Sequence, residues 1–500
     1  MKIQSLLLLI VGCQSLTCAA KPEPSHRLMD FLTSPEIAGR EAGTPEAARV
    51  ADSLAAIFAR LGLKPAGTDG YFQPFVTEAP RIDSAHTFVR LYIEEDASQR
   101  ELFEATLGNG LFFFPKQGRS QILEAPLLNG GYGILAPEFK REDYSPQMAK
   151  GKILMLSLGA PSDSAFRPGG AGFRYSLSQV KSRVAQENGA VAVLFVQAAG
   201  DAGRLQKEIQ TRQQDFDPRI LQLPEAVPFP VLYMDSLSGT RIQREYENSK
   251  GRASASINLA FTMEAPRTLR NVAAIVQGSD QEEASEIILL GAHYDHLGRR
   301  HGTYYPGADD NASGIVALLE AAEAFATRPL ARSLLFVCFD GEEKGLLGSK
   351  WLSSHPLEGG AVAAMINLDC EGRIASGPAP MGSPLQNDDS QLTVFYSKQA
   401  PWIEEELKGV ALTESLRVIW SSQPVFHEFS DHASFHAKKI PSMFFFGGAH
   451  GDYHKPTDSP DKIEWDLLGK RIEFLIACLD RLGNVQGGLE FVEGEGKRRP

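Results

Sequence analysis

From residue 265 to about 482, short and almost purely apolar runs alternate with longer stretches whose apolar residues recur every three or four positions. EIILLGAHYD (286–295), RSLLFVCFDGEE (332–343), VAAMINLDCEG (362–372) and SMFFFGG (442–448) read as strands. Between and after them, SGIVALLEAAEAFATR (313–328), KGLLGSKWLSSH (344–355) and EWDLLGKRIEFLIACLDRLG (464–483) read as helices. Strands apolar on both faces, interleaved with amphipathic helices, predict an α/β fold with a mostly parallel twisted sheet and helices on both faces. Upstream, residues 26–63 predict a helix, a Gly-rich turn and a second helix opening at Thr44, whose Ala48, Val50, Leu54, Ile57, Phe58 and Leu61 form one buried face. Alternation in 86–95 and 100–106 predicts two strands. From 120 to 258 the texture changes to short strands (GGYGI, KGKILMLSLG, VAVLFVQAAG, VPFPVLYMD), a polar helix (QVKSRVAQENG) and loops rich in Gly and Pro. This segment reads as a smaller mixed α/β insert. The main unit is then made of 26–119 and 259–483, followed by a tail over 484–500.

The first twenty residues, with one Lys, a short apolar run from Leu6 and then small residues, read as an export signal. Two processing sites compete: a lipoprotein-like IVGC ending at Cys13, which would carry lipid, and cleavage after Ala20. The expected location is therefore the bacterial periplasm, the exterior or a lipid-anchored position on the envelope. No later apolar run is long enough to span a bilayer. The formal charge of −12 argues against nucleic acid or an acidic membrane as a partner. Cys338, Cys370 and Cys478 are far apart and sit in apolar runs, so they read as buried small hydrophobes rather than a disulfide framework.

Chemistry concentrates where the predicted strands end. In an open parallel sheet, sites form beyond the carboxyl ends of the strands. Here those ends deliver His293 and Asp295, Glu342 and Glu343, Asp369, and the run to His454, while Asp309 and Asp310 occupy the loop after the first of these strands. Taken singly, each is ordinary surface or helix-start chemistry. Gathered at one edge, so many carboxylates would repel one another unless cations were present. Two divalent ions resolve this, and an imidazole and carboxylate donor set without thiolate suits zinc.

GAHYDHLG, GADDNASG, FDGEEKGLLGS, NLD and DYHKPTDSPDKI resemble, in order and approximate spacing, the zinc aminopeptidases of peptidase family M28. SPEIAGREAGTPEAARVADSLAAIFARLGLKPAG resembles the same family's opening, and the insert looks like its protease-associated (PA) domain. The resemblance covers nearly all of 28–470 and implies a zinc-exopeptidase type of sheet. It also implies His293 and Asp369 on one metal, Glu343 and His454 on the other, and Asp309 bridging them. Asp295 would orient His293, and Glu342 would be the general base. Asp310 matches a position where relatives often have a cis bond, and Tyr453 one that steadies the oxyanion in some of them. SDHASF (430–435) is also family-like, while His296, His427, His432 and His450 read as pocket lining or outer contacts rather than ligands. The implied reaction is hydrolysis of peptide substrates by a metal-bridging water, with removal of N-terminal residues. Carboxypeptidase, cyclase and non-catalytic receptor readings of the same scaffold stay open at this stage.

Overall fold

The computed structural model describes residues 23–95, 98–113, 118–167, 170–196, 220–224, 229–300, 302–376, 391–410, 416–423 and 429–492. The export signal with Cys13, and His427, lie outside them. The larger unit opens with α1 (Glu23–Leu32) and α2 (Pro45–Arg60). Thr44 caps α2 as expected, its hydroxyl accepting from Ala47 N–H, and Pro45 at the first helical position needs no N–H partner.

The strands of this unit are β1 (Lys64–Pro65), β2 (Phe72–Ile82), β3 (Phe261–Val276), β4 (Glu286–His293), β5 (Ser333–Phe339), β6 (Ala361–Asp369), β7 (Gln391–Tyr396), β8 (Arg417–Ser421) and β9 (Ser442–Phe446). Among the described residues they form one nine-stranded sheet in the order β1-β3-β5-β4-β6-β9-β7-β8, with β2 also paired to β3. The sheet is mixed rather than mostly parallel. β5, β4, β6 and β9 run parallel at its centre, and β7 with β8, but β3 joins β5 and β7 joins β9 antiparallel. The parallel centre gives most of the continuous apolar runs visible in the sequence. Along β4, Ile288, Leu290 and Ala292 enter the core shared with α1, α2, α3 (Gly314–Phe325) and the C-terminal helix α6 (Trp465–Asn484). Ile287 and Leu289 face the opposite core, closed by Leu352 of α4 (Leu347–Ser354) and Phe435. Helix α5 (Trp402–Leu407) packs on the first side through Ile403 and Leu407.

The smaller unit is a closed barrel of strands 88–95, 98–107, 110–113, 121–129, 153–157, 192–196, 231–234 and 253–259. This moves the expected boundary at 119/120 upstream to about residue 83. The strands at 88–95 and 98–107 do not extend the main sheet. Val89 pairs with Ile257 and Leu91 with Ala255, and all four side chains enter the barrel core. The long β2–β3 ribbon, bulged between Glu264 and Arg267, links the two units. Cys338, Cys370 and Cys478 are free and buried.

Candidate metal centre

The carboxyl ends of β4, β5, β6 and β9 meet at one edge of the sheet, and each contributes a side chain to the site. His293 is the last residue of β4, and its Nδ1 lies 3.1 Å from the backbone carbonyl of Asp295. The Asp295 carboxylate, expected to orient that ring, is farther away at 3.8 Å. It instead accepts the N–H groups of Glu342 (2.9 Å) and Glu343 (3.3 Å), and so fixes the turn after β5.

The loop between β4 and α3 is held from several directions. Asp458 accepts from Asp309 N–H and Asp310 N–H, each at 3.1 Å. Arg40, fully buried in the Gly-rich turn between α1 and α2, donates to the carbonyls of Pro306, Gly307 (2.6 Å) and Asp310 (3.3 Å). Burial lowers the Arg40 guanidinium to about 10 even though Asp310, Asp458, Asp295 and Glu343 favour its charge. Asn311 Nδ2 donates to Leu368 O at 2.8 Å, and the Asp310–Asn311 peptide is cis. Gly307 has φ +58°, and a Cβ there would meet the Asp310 carbonyl at 2.3 Å and the His296 ring at 2.5 Å.

Asp310, not Asp309, stands between the two halves of the site. Its Oδ1 is 3.4 Å from His293 Nε2 and its Oδ2 is 2.9 Å from His454 Nε2. Asp369 Oδ1 completes the first cluster 3.7 Å from His293 Nε2, and its Oδ2 accepts from Ser430 Oγ at 2.8 Å. Glu343 Oε1 lies in the second, 3.5 Å from His454 Nε2 and 2.9 Å from His296 Nδ1. Asp309 is turned away. Its Oδ1 accepts from Gly372 N–H (2.5 Å) and Ser313 Oγ (3.1 Å), and its Oδ2 faces His450 Nε2 at 3.2 Å. The expected bridging role of Asp309 is thereby corrected. Asp310 has φ −106° and ψ 92°, an extended residue, and successive side chains of extended backbone point opposite ways.

The site is deeply buried: His293, His296, Asp295 and Asp310 are all 2% exposed or less. His296 Nδ1 and Nε2, Asp310 Oδ2 and Glu343 Oε1 make no hydrogen bond. Polar atoms buried in this way cost free energy unless something else satisfies them, and a shared cation does so. Donors around one tetrahedral zinc, with bonds of about 2.0–2.1 Å, lie roughly 3.3 Å apart. The separations here run from 2.9 to 4.0 Å, so both clusters fit such an ion.

Burial and the facing carboxylates set the protonation landscape. Burial pushes the Glu342 carboxyl well above its usual range, with Glu343, Asp431 and Asp369 adding to it and His293 opposing. Burial acts the same way on Glu343, but His454 and His296 beside it hold that carboxylate well below the usual range. His293 and His454 are raised against the pull of burial, by Glu342, Asp310 and Asp369 in one case and by Glu343 and Asp310 in the other. Tyr453, 40% exposed, stacks on the His454 ring with centroids 4.0 Å apart. His432 does not line the clusters but stacks on Phe444 in the sheet core.

Residues 271–479, from β3 to α6, match peptidase family M28. A probable leucine aminopeptidase of Trichophyton verrucosum is 31% identical over 218 residues, 41% of this chain and 56% of the relative. The chain thus spans little more than half the length of that fungal relative. Aminopeptidase YwaD of Bacillus subtilis is 24% identical over 370 residues, 72% of this chain and 67% of the relative. The solved aminopeptidase from Aneurinibacillus sp. strain AM-1 shares the fold with TM-score 0.54 and 21% identity, over 96% of this chain and 97% of its own.

Proposed function

We propose that this protein is a two-metal aminopeptidase that hydrolyses the first peptide bond of peptides with a free amino terminus. The observation that carries the proposal is Asp310, whose two carboxylate oxygens each face a different imidazole, the buried His293 and the half-exposed His454, with one further carboxylate beside each. His293, Asp369 and Asp310 would hold one ion, and His454, Glu343 and Asp310 the other. Zinc suits the nitrogen and oxygen donors. Bound there, such a pair activates a water and polarises the scissile carbonyl.

The chain's own groups do the rest. Glu342 adjoins Glu343 in a turn whose N–H groups are fixed on Asp295, so one carboxylate is committed to an ion while its neighbour is free to move protons. Glu342 takes the proton from the attacking water and gives it to the leaving amine. Tyr453, stacked on His454, is read as the donor to the developing oxyanion. The names of the relatives support action on N-terminal residues. The barrel is read as a protease-associated insert.

Glu342→Gln tests the assignment. The variant should bind two ions per chain, by elemental mass spectrometry after dialysis, while hydrolysis of an aminoacyl anilide falls about 10²–10⁴-fold. An N-acetylated substrate should resist the wild-type enzyme. Unchanged turnover in the variant removes Glu342 from the mechanism, and cleavage of the acetylated substrate removes the aminopeptidase reading.

A further inference from the structure

Among the described residues, His296 is the one imidazole at the two clusters that the two-ion reading above leaves without a task. It is fully buried, yet neither ring nitrogen makes a hydrogen bond. A histidine packed for stability would have at least one nitrogen satisfied, because a buried ring nitrogen without a partner costs about 1–3 kcal/mol. The ring is held in place by its surroundings. The His296 N–H donates to Arg40 O, and the bare face of Gly307 lies against the imidazole, where a Cβ would come within 2.5 Å.

Its Nδ1 is aimed into the second cluster, 2.9 Å from Glu343 Oε1 and 4.0 Å from Asp310 Oδ2. The His454 ring stands across from it, with centroids 5.9 Å apart at 69°. Two imidazoles sharing an ion through bonds of about 2.0–2.1 Å have centroids within roughly 6 Å of each other. The contact with Glu343 Oε1 falls outside hydrogen-bond geometry and holds the ring only as an ion pair when the imidazole is protonated, whereas a shared cation satisfies both groups with the imidazole neutral.

We infer that His296 is a direct ligand, through Nδ1, of the ion held by Glu343, His454 and Asp310. That position then has four protein donors, while the one at His293 and Asp369 has three. The two ions are therefore unequal. The four-donor ion is retained, and the three-donor ion exchanges and keeps an open place for water or substrate, following the distinction between closed and open zinc sites.

This inference rests on the two-ion reading, and X-ray absorption on the wild-type protein loaded with Zn²⁺ separates the two. Three imidazoles for two bound ions is the expected count. Two imidazoles for two ions overturns the role of His296 and leaves the two-ion reading standing. Fewer than two ions overturns both. In His296→Gln and His296→Ala, checked for fold by circular dichroism, the imidazole count should fall to two. The tighter ion should then be lost to a chelator at least about 100-fold more readily, beyond the 10–100-fold typical of an outer contact. Wild-type retention of both ions in both variants overturns the assignment.

Discussion

Asp310 offers one oxygen to each half of the site, and Asp309, one peptide away, offers none. Asp310→Asn should therefore lose both ions, because the amide weakens both clusters at once. Asp309→Asn should keep two, at affinities lower by about 10–100-fold, since Asp309 acts through the loop. Its carboxylate ties the 307–313 segment to Gly372 and Ser313, and faces His450, whose Nδ1 accepts from Asp452 N–H. Metal content of the two variants after dialysis checks this, and equal loss from both would return the bridge to ambiguity. The resemblance implied Asp309 as the bridge, because two identical neighbours cannot be told apart by motif spacing. The extended conformation of Asp310 makes the choice, and that is tertiary information. His296 was hidden for a similar reason. It differs from His432 and His450 only in where its backbone runs, beside the Arg40 turn.

Among the elements, legibility followed periodicity. β4, β5, β6 and β9 are buried on both faces, so their apolar runs announced them. β2 carries Pro74 and Pro80 and alternates only partly, and it was not visible as a strand. The strands at 88–95 and 98–107 were legible as strands but not as barrel members, because alternation does not say which core is being filled. On the outer face of the barrel, Lys181 of the helix Ser178–Glu187 is 1% exposed and donates to the carbonyls of Ser157 (3.0 Å) and Gly159 (2.7 Å). Burial lowers its ammonium from 10.5 to about 7, with Asp143 opposing. Between about pH 7 and 10.5 the unfolded chain binds a proton that the folded one has shed, so stability rises with pH across that window. Below pH 7 the cost of the buried charge is fully present. Lys181→Met should flatten this slope and stabilise the protein at pH 6 by roughly 1–3 kcal/mol, after allowing about 1 kcal/mol for each lost hydrogen bond. Urea midpoints at pH 6 and pH 9 measure it, and a variant with the wild-type pH slope would show that Lys181 is not the source.

At the scale of the molecule, the centre joins parts of the chain that local sequence keeps apart. Arg40 comes from the turn before α2, Asp310 from the loop after β4, Glu343 from the end of β5, Asp369 from β6 and His454 from beyond β9. All approach one edge of one sheet, and several are carboxylates buried within a few ångströms of one another. Their mutual repulsion opposes folding, and cations bound only by the folded state offset it. Each ion should then stabilise the larger unit by about 4 kcal/mol when free zinc stands a thousandfold above its dissociation constant. Removal of the ions with a chelator should lower the melting temperature by about 5–10 °C, reversed by added Zn²⁺. The loss should also be local. Amides of 307–313 and 341–343 should exchange faster, while those of the barrel strand Ile153–Ser157, which no donor reaches, should not change. Equal melting with and without chelator would mean that the carboxylates are accommodated without cations. Faster exchange throughout the barrel would instead mean that the two units unfold together, with the β2–β3 ribbon carrying the coupling from the metal-bearing edge into the barrel.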